Sequence, residues 1–268
     1  MSRIIAVANQ KGGVGKTTTA VNLAACLSAA GQTTLLVDCD SQANATAAIG
    51  FTKDPARKTL YHTLIAGEPF EKIIQKSQVN GLDVVPADKN LAGAAVELVT
   101  AENREYKLQD ALKALQEKHN FIILDCPPAL DLLTLNALVA ASAVLVPIQC
   151  EYLALEGVSE LLDTLMRIRR TLNPSLEIEG ILLTMYDERT TLSRQVATDL
   201  RSFFGTQIFQ SVIPRNVRLA EAPSFGKPII LYDIHSKGAE GYTQLAQEVI
   251  LNAEKRAGTG TRSAHSGA

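Results

Sequence analysis

The chain has 268 residues, 46% hydrophobic and 20% charged, with a formal net charge of −2. These totals suit one globular α/β domain with a sizeable core, and they exclude polyanion binding driven by overall charge, so any basic site must be local. Four cysteines without metal-ligand spacing exclude a disulfide framework and read as reduced thiols.

In chain order, the first feature is a short apolar run, Ile4 to Ala8, with no apolar signal region before it. Asn9-Gln10-Lys11-Gly12-Gly13-Val14-Gly15-Lys16-Thr17-Thr18 follows, and then an amphipathic segment, Ala20 to Ala30. Strand, glycine loop and helix in that order are the setting a phosphate-binding loop requires. Glycines let backbone N–H groups close around phosphate oxygens, and the helix N-terminus adds partial positive charge. Lys16 is expected to reach the β/γ-phosphates and the Thr17 hydroxyl to ligate Mg²⁺. Against G-x-x-x-x-G-K-[ST], the first glycine position holds Gln10, and a second lysine, Lys11, stands beside it. A glycine-rich surface turn is the alternative, but it accounts for neither the Gly15-Lys16-Thr17 core nor its position.

Further strand-like runs are Thr34 to Val37, Leu82 to Val85, Phe121 to Leu124, Val144 to Ile148, Ile178 to Leu183 and Gln207 to Ile213. A crossover from Gly81 is expected to contain one long helix at about Asn90 to Lys118. Ala137 to Ile148, the longest apolar stretch, contains Ser142 and Pro147 and is too short to span a bilayer. Leu155, Val158, Leu161, Leu162, Leu165, Ile168 and Leu172 form a stripe at helical spacing. Leu192, Val196, Leu200 and Phe203 form another, which Gly205 stops. Both read as core faces. Strands alternating with helices predict a single-domain, doubly wound, mostly parallel sheet of the P-loop type over residues 1–256, with nucleotide at the carboxyl ends of the strands. Residues 257–268, rich in Ala, Gly, Thr and Ser, read as a disordered tail.

Two strands end in acids. Thr34 to Val37 runs into Asp38-Cys39-Asp40, and Phe121 to Leu124 runs into Asp125. A carboxylate fixed at a strand end beside a phosphate loop orients Mg²⁺ or its waters. Asp38 and Asp125 are therefore expected to act on the metal through water. Cys39 and Cys126 adjoin these acids and read as small buried hydrophobes rather than redox groups. From Arg189 to Lys227 six basic residues (Arg189, Arg194, Arg201, Arg215, Arg218, Lys227) face two acids (Asp199, Glu221). A solvated, internally paired face is one reading, and a sequence-independent phosphate-backbone surface is the other.

Lys-Gly-Gly-x-Gly-Lys-Thr with the added Lys11 resembles the deviant Walker A motif of the ParA/MinD ATPases. Leu183 to Arg189 and Ile213 to Pro228 resemble the chromosomal ParA/Soj branch, so the match runs from about Arg3 to about Asp233. The resemblance implies an ATP- and Mg²⁺-dependent ATPase whose phosphate cradle is Lys11, Gly12, Gly13, Val14, Gly15, Lys16, Thr17 and Thr18. It also implies that Lys11 contacts the nucleotide of a partner subunit, that Asp40 places the attacking water, and that Pro214 and Asn216 line the adenine pocket. Arg189 and Arg218 match arginines that contribute to non-specific binding of double-stranded DNA. An ATP-dependent homodimer, a ParB-type partner and a cytoplasmic, nucleoid-associated location follow from the same resemblance. A MinD-like positioning ATPase is an alternative, although Lys255-Arg256-Ala257-Gly258-Thr259 lacks the large apolar residues of a lipid-binding helix. A P-loop metabolic ligase is another, opposed by Lys11 and the arginine-bearing distal loop. The sequence departs from the family where Ser41-Gln42-Ala43-Asn44 replaces the common Pro-Gln-Gly-Asn. Losing glycine disfavours positive φ, which leaves that loop's geometry open.

Overall fold

A computed structural model describes residues 2–115, 117–151 and 154–263. The strands are β1 (Arg3–Val7), β2 (Thr34–Asp38), β3 (Gln75–Lys76), β4 (Leu82–Val85), β5 (Phe121–Asp125), β6 (Ala143–Gln149), β7 (Glu177–Tyr186) and β8 (Ile208–Pro214). They form one sheet in the order β3-β4-β2-β5-β1-β6-β7-β8. Every pairing is parallel except that of the short edge strand β3 with β4. This is the doubly wound, mostly parallel sheet expected from the alternation of strands and helices.

The helices are α1 (Lys16–Ala29), α2 (Asn44–Ala48), α3 (Leu60–Ala66), α4 (Leu91–Glu97), α5 (Lys107–Leu112) and α6 (Leu132–Ala140). After them come α7 (Ala154–Thr171), α8 (Thr191–Phe204), α9 (Val217–Glu221), α10 (Ile229–Tyr232) and α11 (Lys237–Ser263). Alternation along β1 divides the core between the two faces of the sheet. Ile5 and Val7 pack with α1 and α11, while Ile4, Ala6 and Ala8 pack with α3 through α8. Because α1 lies between the sheet and α11, it is buried on nearly every side from Thr19 to Ser28. The expected stripes do face the core: Val158, Leu161, Leu165 and Ile168 on α7, and Val196 and Leu200 on α8, are buried. The side chain of Leu155 lies outside the described residues, and on α8 both ends of the stripe, Leu192 and Phe203, are exposed, with Phe204 packed into the core next to Phe203.

Two expectations are corrected. The single helix from about Asn90 to Lys118 is instead α4 and α5, joined by 3₁₀ turns at Leu98–Thr100 and Arg104–Tyr106. Ala101 is extended and Asn103 sits at φ +50, and the break is held from a distance. The Asn136 amide on α6 donates to the Arg104 carbonyl (2.8 Å) and accepts from Leu108 N–H (3.1 Å), taking up backbone groups that a continuous helix would pair internally. The second correction concerns α11, which runs to Ser263 instead of stopping before Ala257, while 264–268 lie outside the described residues. Its docking is fastened by Glu179 on β7, whose side chain is 1% exposed and receives Arg3 of β1 (2.6 Å) and Arg256 of α11 (2.6 Å). Losing both arginines would leave the Glu179 carboxylate buried without its counter-charge.

Ala43, at the position where the sequence departs from Pro-Gln-Gly-Asn, adopts φ +55, ψ +35 and caps α2 in the left-handed region. An L-residue there pays steric strain that glycine avoids, and glycine's larger unfolded-state entropy offsets only part of the gain. Ala43→Gly is therefore expected to stabilise the protein by about 0.5–1 kcal/mol. Thermal unfolding checks this, and an unchanged or lower midpoint would contradict the strain.

Candidate functional site

The register of the sheet assembles the site. Asp38 ends β2 directly opposite Asp125 at the end of β5, and Val7 at the end of β1 is the other neighbour of Asp125. Register partners on adjacent parallel strands point to the same face, about 4.8 Å apart along the hydrogen-bonding direction. The loop that leaves β1 therefore opens beside two carboxylates.

Partners distant in sequence fix that loop. The Asn9 amide donates to the Pro147 carbonyl (2.8 Å), and its oxygen accepts from Lys11 N–H (3.0 Å). The Thr184 hydroxyl of β7 donates to the Val14 carbonyl (2.8 Å), and the Gln10 amide reaches the Thr164 hydroxyl (3.2 Å). Gly13 and Gly15 take φ +77 and +90, and Gly15 caps α1 from the left-handed region. Apart from the chain neighbours, no atom of the described residues lies within 4 Å of where a Cβ on Gly12 or Gly13 would stand, which leaves room beside the loop. Thr17 and Thr18 are half-buried on the first turn of α1, and Thr19 behind them shares a hydrogen bond with Tyr242 of α11 (3.2 Å).

Lys16 is only 7% exposed, and its ammonium donates to the Lys11 carbonyl (3.0 Å). Burial lowers its proton affinity, and the carboxylates of Asp125 and Asp40 offset part of that. Lys11 projects from the loop surface and forms an ion pair with half-exposed Glu151 at 3.3 Å.

The acids divide into engaged and unengaged groups. Asp38 accepts three hydrogen bonds: from Asp40 N–H (3.1 Å) on Oδ1, and from Thr46 N–H (2.8 Å) and the Thr46 hydroxyl (2.7 Å) on Oδ2. Burial nonetheless pushes its carboxyl up to about 6, against the opposing pull of those Thr46 bonds. Asp125 is fully buried, and neither carboxylate oxygen has a hydrogen-bond partner among the described residues. Its carboxyl lies well above the usual range because of burial first and the Asp38 charge second, with Lys16 pulling the other way. Thr17 is near enough to favour its ionised form without meeting hydrogen-bond geometry. A buried carboxylate without donors is costly unless something of opposite charge or a bound water satisfies it. Mg²⁺ with its water shell fits that need, beside a hydroxyl and a glycine cradle. Asp40 is buried at the end of the same loop, where its Oδ1 accepts from Gln42 N–H (3.0 Å). Cys39 and Cys126 are buried free thiols, pushed up chiefly by burial, as small hydrophobes would be.

The two distal segments converge. Tyr186 of β7 pairs with Pro214 of β8, and Arg215 N–H donates to the Tyr186 carbonyl (3.0 Å). Asn216 caps α9, its Oδ1 accepting from Arg218 N–H (2.8 Å), which leaves its amide N–H₂ as the free donor. Arg189 is paired in two-point fashion with Asp187 (2.9 and 2.8 Å), although its side chain is 84% exposed. Arg218 pairs with Glu221 (3.0 Å) and Asp233 (3.4 Å). Arg194, Arg201, Arg215 and Lys227 form no ion pair among the described residues, and all four are exposed. Arg194 and Arg201 lie two turns apart on one face of α8. Sequence reasoning missed Thr46, Thr184, Glu151 and Asn9 as supports of the site. Only Asn9, adjoining the glycine loop, stood near enough to a motif to be found.

A model of the AAA domain matches residues 2–178. The chromosome partitioning protein ParA of Myxococcus xanthus is 52% identical over 93% of this chain and 88% of its own. The sporulation initiation inhibitor protein Soj of Bacillus subtilis is 52% identical over 94% of this chain and all of its own. Among solved structures, cobyrinic acid a,c-diamide synthase from Mycobacterium smegmatis with bound ADP and magnesium superposes with a TM-score of 0.80. It is 37% identical, over 92% of this chain and 93% of that one. No helix among the described residues is long and apolar enough to cross a membrane. The chain belongs to the ParA/Soj family of chromosome-partitioning P-loop ATPases.

Proposed function

We propose that this protein is a DNA-segregation ATPase that hydrolyses ATP with Mg²⁺ and binds double-stranded DNA without sequence preference in its ATP-bound dimer. The observation that carries the catalytic part is Asp125: a fully buried carboxylate with no hydrogen-bond partner among the described residues, set beside a lysine-bearing glycine loop. Thr17 would hold Mg²⁺ directly and Asp125 through water; the ion supplies compensation for charge on the phosphate oxygens when bound. Asp38, which accepts three protein hydrogen bonds, would support the Mg²⁺ shell through water and also fixes the loop that carries Asp40. Lys16 sits in a site that weakens its hold on its own carbonyl partner once phosphate oxygens compete for the same ammonium. Asp40 keeps one oxygen without a partner among the described residues, which suits it to orient a water. Pro214 offers a flat apolar face to adenine, and the Asn216 amide donates to the base edge.

Lys11 is the residue that reaches out of the subunit. It is exposed, and its partner Glu151 is half-exposed, so the pair is screened and easily exchanged for a phosphate of a second subunit. Exposed basic residues of the distal segments include Arg189 before α8, Arg194 and Arg201 on α8, and Arg215 and Lys227 in the segment after β8. The unpaired cations among them can neutralise DNA phosphates without first breaking an internal ion pair, and dimerisation doubles the contacts on one duplex. A ParB-type partner would stimulate hydrolysis and release DNA, placing the protein in the cytoplasm on the nucleoid. The ligase alternative has a named structural neighbour, but identity to that neighbour is 37%, against 52% to the partitioning proteins.

Co-sedimentation with DNA in ATP, in ADP and without nucleotide tests the switch directly. Retention with ATP alone is expected, and equal retention in all three conditions would overturn it. Asp40→Ala is expected to keep ATP binding while turnover falls by about two orders of magnitude, and undiminished hydrolysis would remove Asp40 from its role. Arg201→Ala should reduce the slope of log affinity against log salt by about 1 while dimerisation, read by light scattering, persists. An unchanged slope would exclude the α8 face from DNA contact.

A further inference from the structure

The acidic segment after β2 and the segment carrying Asn216 and Arg218 start from strands far apart in the sheet, yet their backbones touch. The contact is between Gly50, at the end of α2, and Gly226, at the end of the turn that continues α9. A Cβ on Gly226 would stand 2.7 Å from the Gly50 Cα, and one on Gly50 would stand 2.9 Å from the Gly226 carbonyl oxygen. Both glycines also sit at positive φ, +101 and +61. One side chain crosses the junction. The Gln78 amide donates to the Gly226 carbonyl (2.5 Å) and to the Ile49 carbonyl (3.2 Å), so a single NH₂ group ties the two segments together.

Each side of the junction leads to a different part of the site. On one side, α2 holds Thr46, whose N–H and hydroxyl both bind Asp38 Oδ2 and whose hydroxyl also accepts from Ala87 N–H (2.9 Å). On the other, the 222–226 turn is continuous with α9, which Asn216 caps and from which Arg218 projects. A second tie runs through α1: Asn22 accepts from Ile229 N–H (2.7 Å) and donates to the Thr18 carbonyl (2.7 Å). Two backbones in direct contact have no flexible side chain between them to absorb a shift. Movement of α2 must therefore carry the 222–228 segment with it or open the contact.

We infer that the Gly50–Gly226 junction couples the phosphate-side acidic segment to the base- and DNA-facing segment, and that Gln78 is the positioning residue that keeps it closed. This rests on the reading of ATP-switched DNA binding proposed above. Gln78 is exposed and touches none of the nucleotide residues, so its replacement tests coupling and spares chemistry.

The test uses the full chain as wild type, Gln78→Leu, Gln78→Lys and Gly226→Ala, with DNA co-sedimentation in a non-hydrolysable ATP analogue and in ADP. Basal ATP hydrolysis and thermal unfolding are measured alongside. Gln78→Leu is expected to lower the analogue-over-ADP ratio of DNA affinity by about fivefold or more, with basal hydrolysis unchanged. Gln78→Lys, whose ammonium can donate to the same two carbonyls, should restore the ratio. Gly226→Ala should lower it as Gln78→Leu does. Amide hydrogen exchange gives an independent readout: the analogue should slow exchange across residues 217–229 in the wild type but not in Gln78→Leu. Equal ratios and equal protection in wild type and Gln78→Leu would overturn the coupling. If wild-type DNA binding ignores the nucleotide, the partitioning reading fails, and the exchange comparison still decides for or against the junction.

Discussion

Two carboxylates buried in register at the ends of neighbouring strands are the constraint on which this structure turns. Asp38 and Asp125 are both fully buried, and each raises the cost of ionising the other. A fold can hold such a pair only by supplying donors, a counter-charge or a ligand. Here the three are distributed unequally. Asp38 receives three protein hydrogen bonds, Lys16 supplies the buried cation, and Asp125 is left for something from outside. The anchors of the glycine loop serve the same end. Without Asn9 on Pro147 and Thr184 on Val14, Lys16 would not be held over the acids.

Much of this was legible in the sequence because it depends on short-range pattern. Apolar runs ending in acids marked β2 and β5, and the glycine loop between β1 and α1 marked the cradle. From those few residues the sheet and the position of the site followed. What remained hidden depends on partners far along the chain. Nothing local in Asn90 to Lys118 announces the break at Asn103, because Asn136 on another helix holds the turn. Asn216 has the same composition whether its oxygen faces a base or caps α9, and only the fold decides for the cap. Nor does a count of basic residues separate Arg189 and Arg218, each ion-paired with a carboxylate, from Arg194 and Arg201, which form no ion pair among the described residues.

Ala43 shows where family pattern and local chemistry conflict. Glycine is common there because the chain must turn through the left-handed region between Asp40 and α2. This chain makes the same turn with an alanine. The strain is tolerated because hydrogen bonds on both sides determine the loop: Ala43 N–H to the Asp40 carbonyl, and Thr46 to Asp38. The same bonds that place Asp40 thus hold a residue its own preferences would release.

One rule then covers both ends of the site. Groups that the protein has already paired internally serve to shape it, and groups it has left unpaired are those open to ligands. Asp38 and the Asn216 oxygen belong to the first kind; Asp125, the Asn216 amide and the α8 arginines belong to the second. Lys16 and Lys11 stand between, because each is held by a partner that a phosphate can displace: a carbonyl for one, a screened carboxylate for the other. In the dimer proposed above, displacing both in one event would require phosphate at the cradle and a second subunit against the loop surface. In the proposed ATP-bound dimer, that requirement would link nucleotide binding to dimerisation.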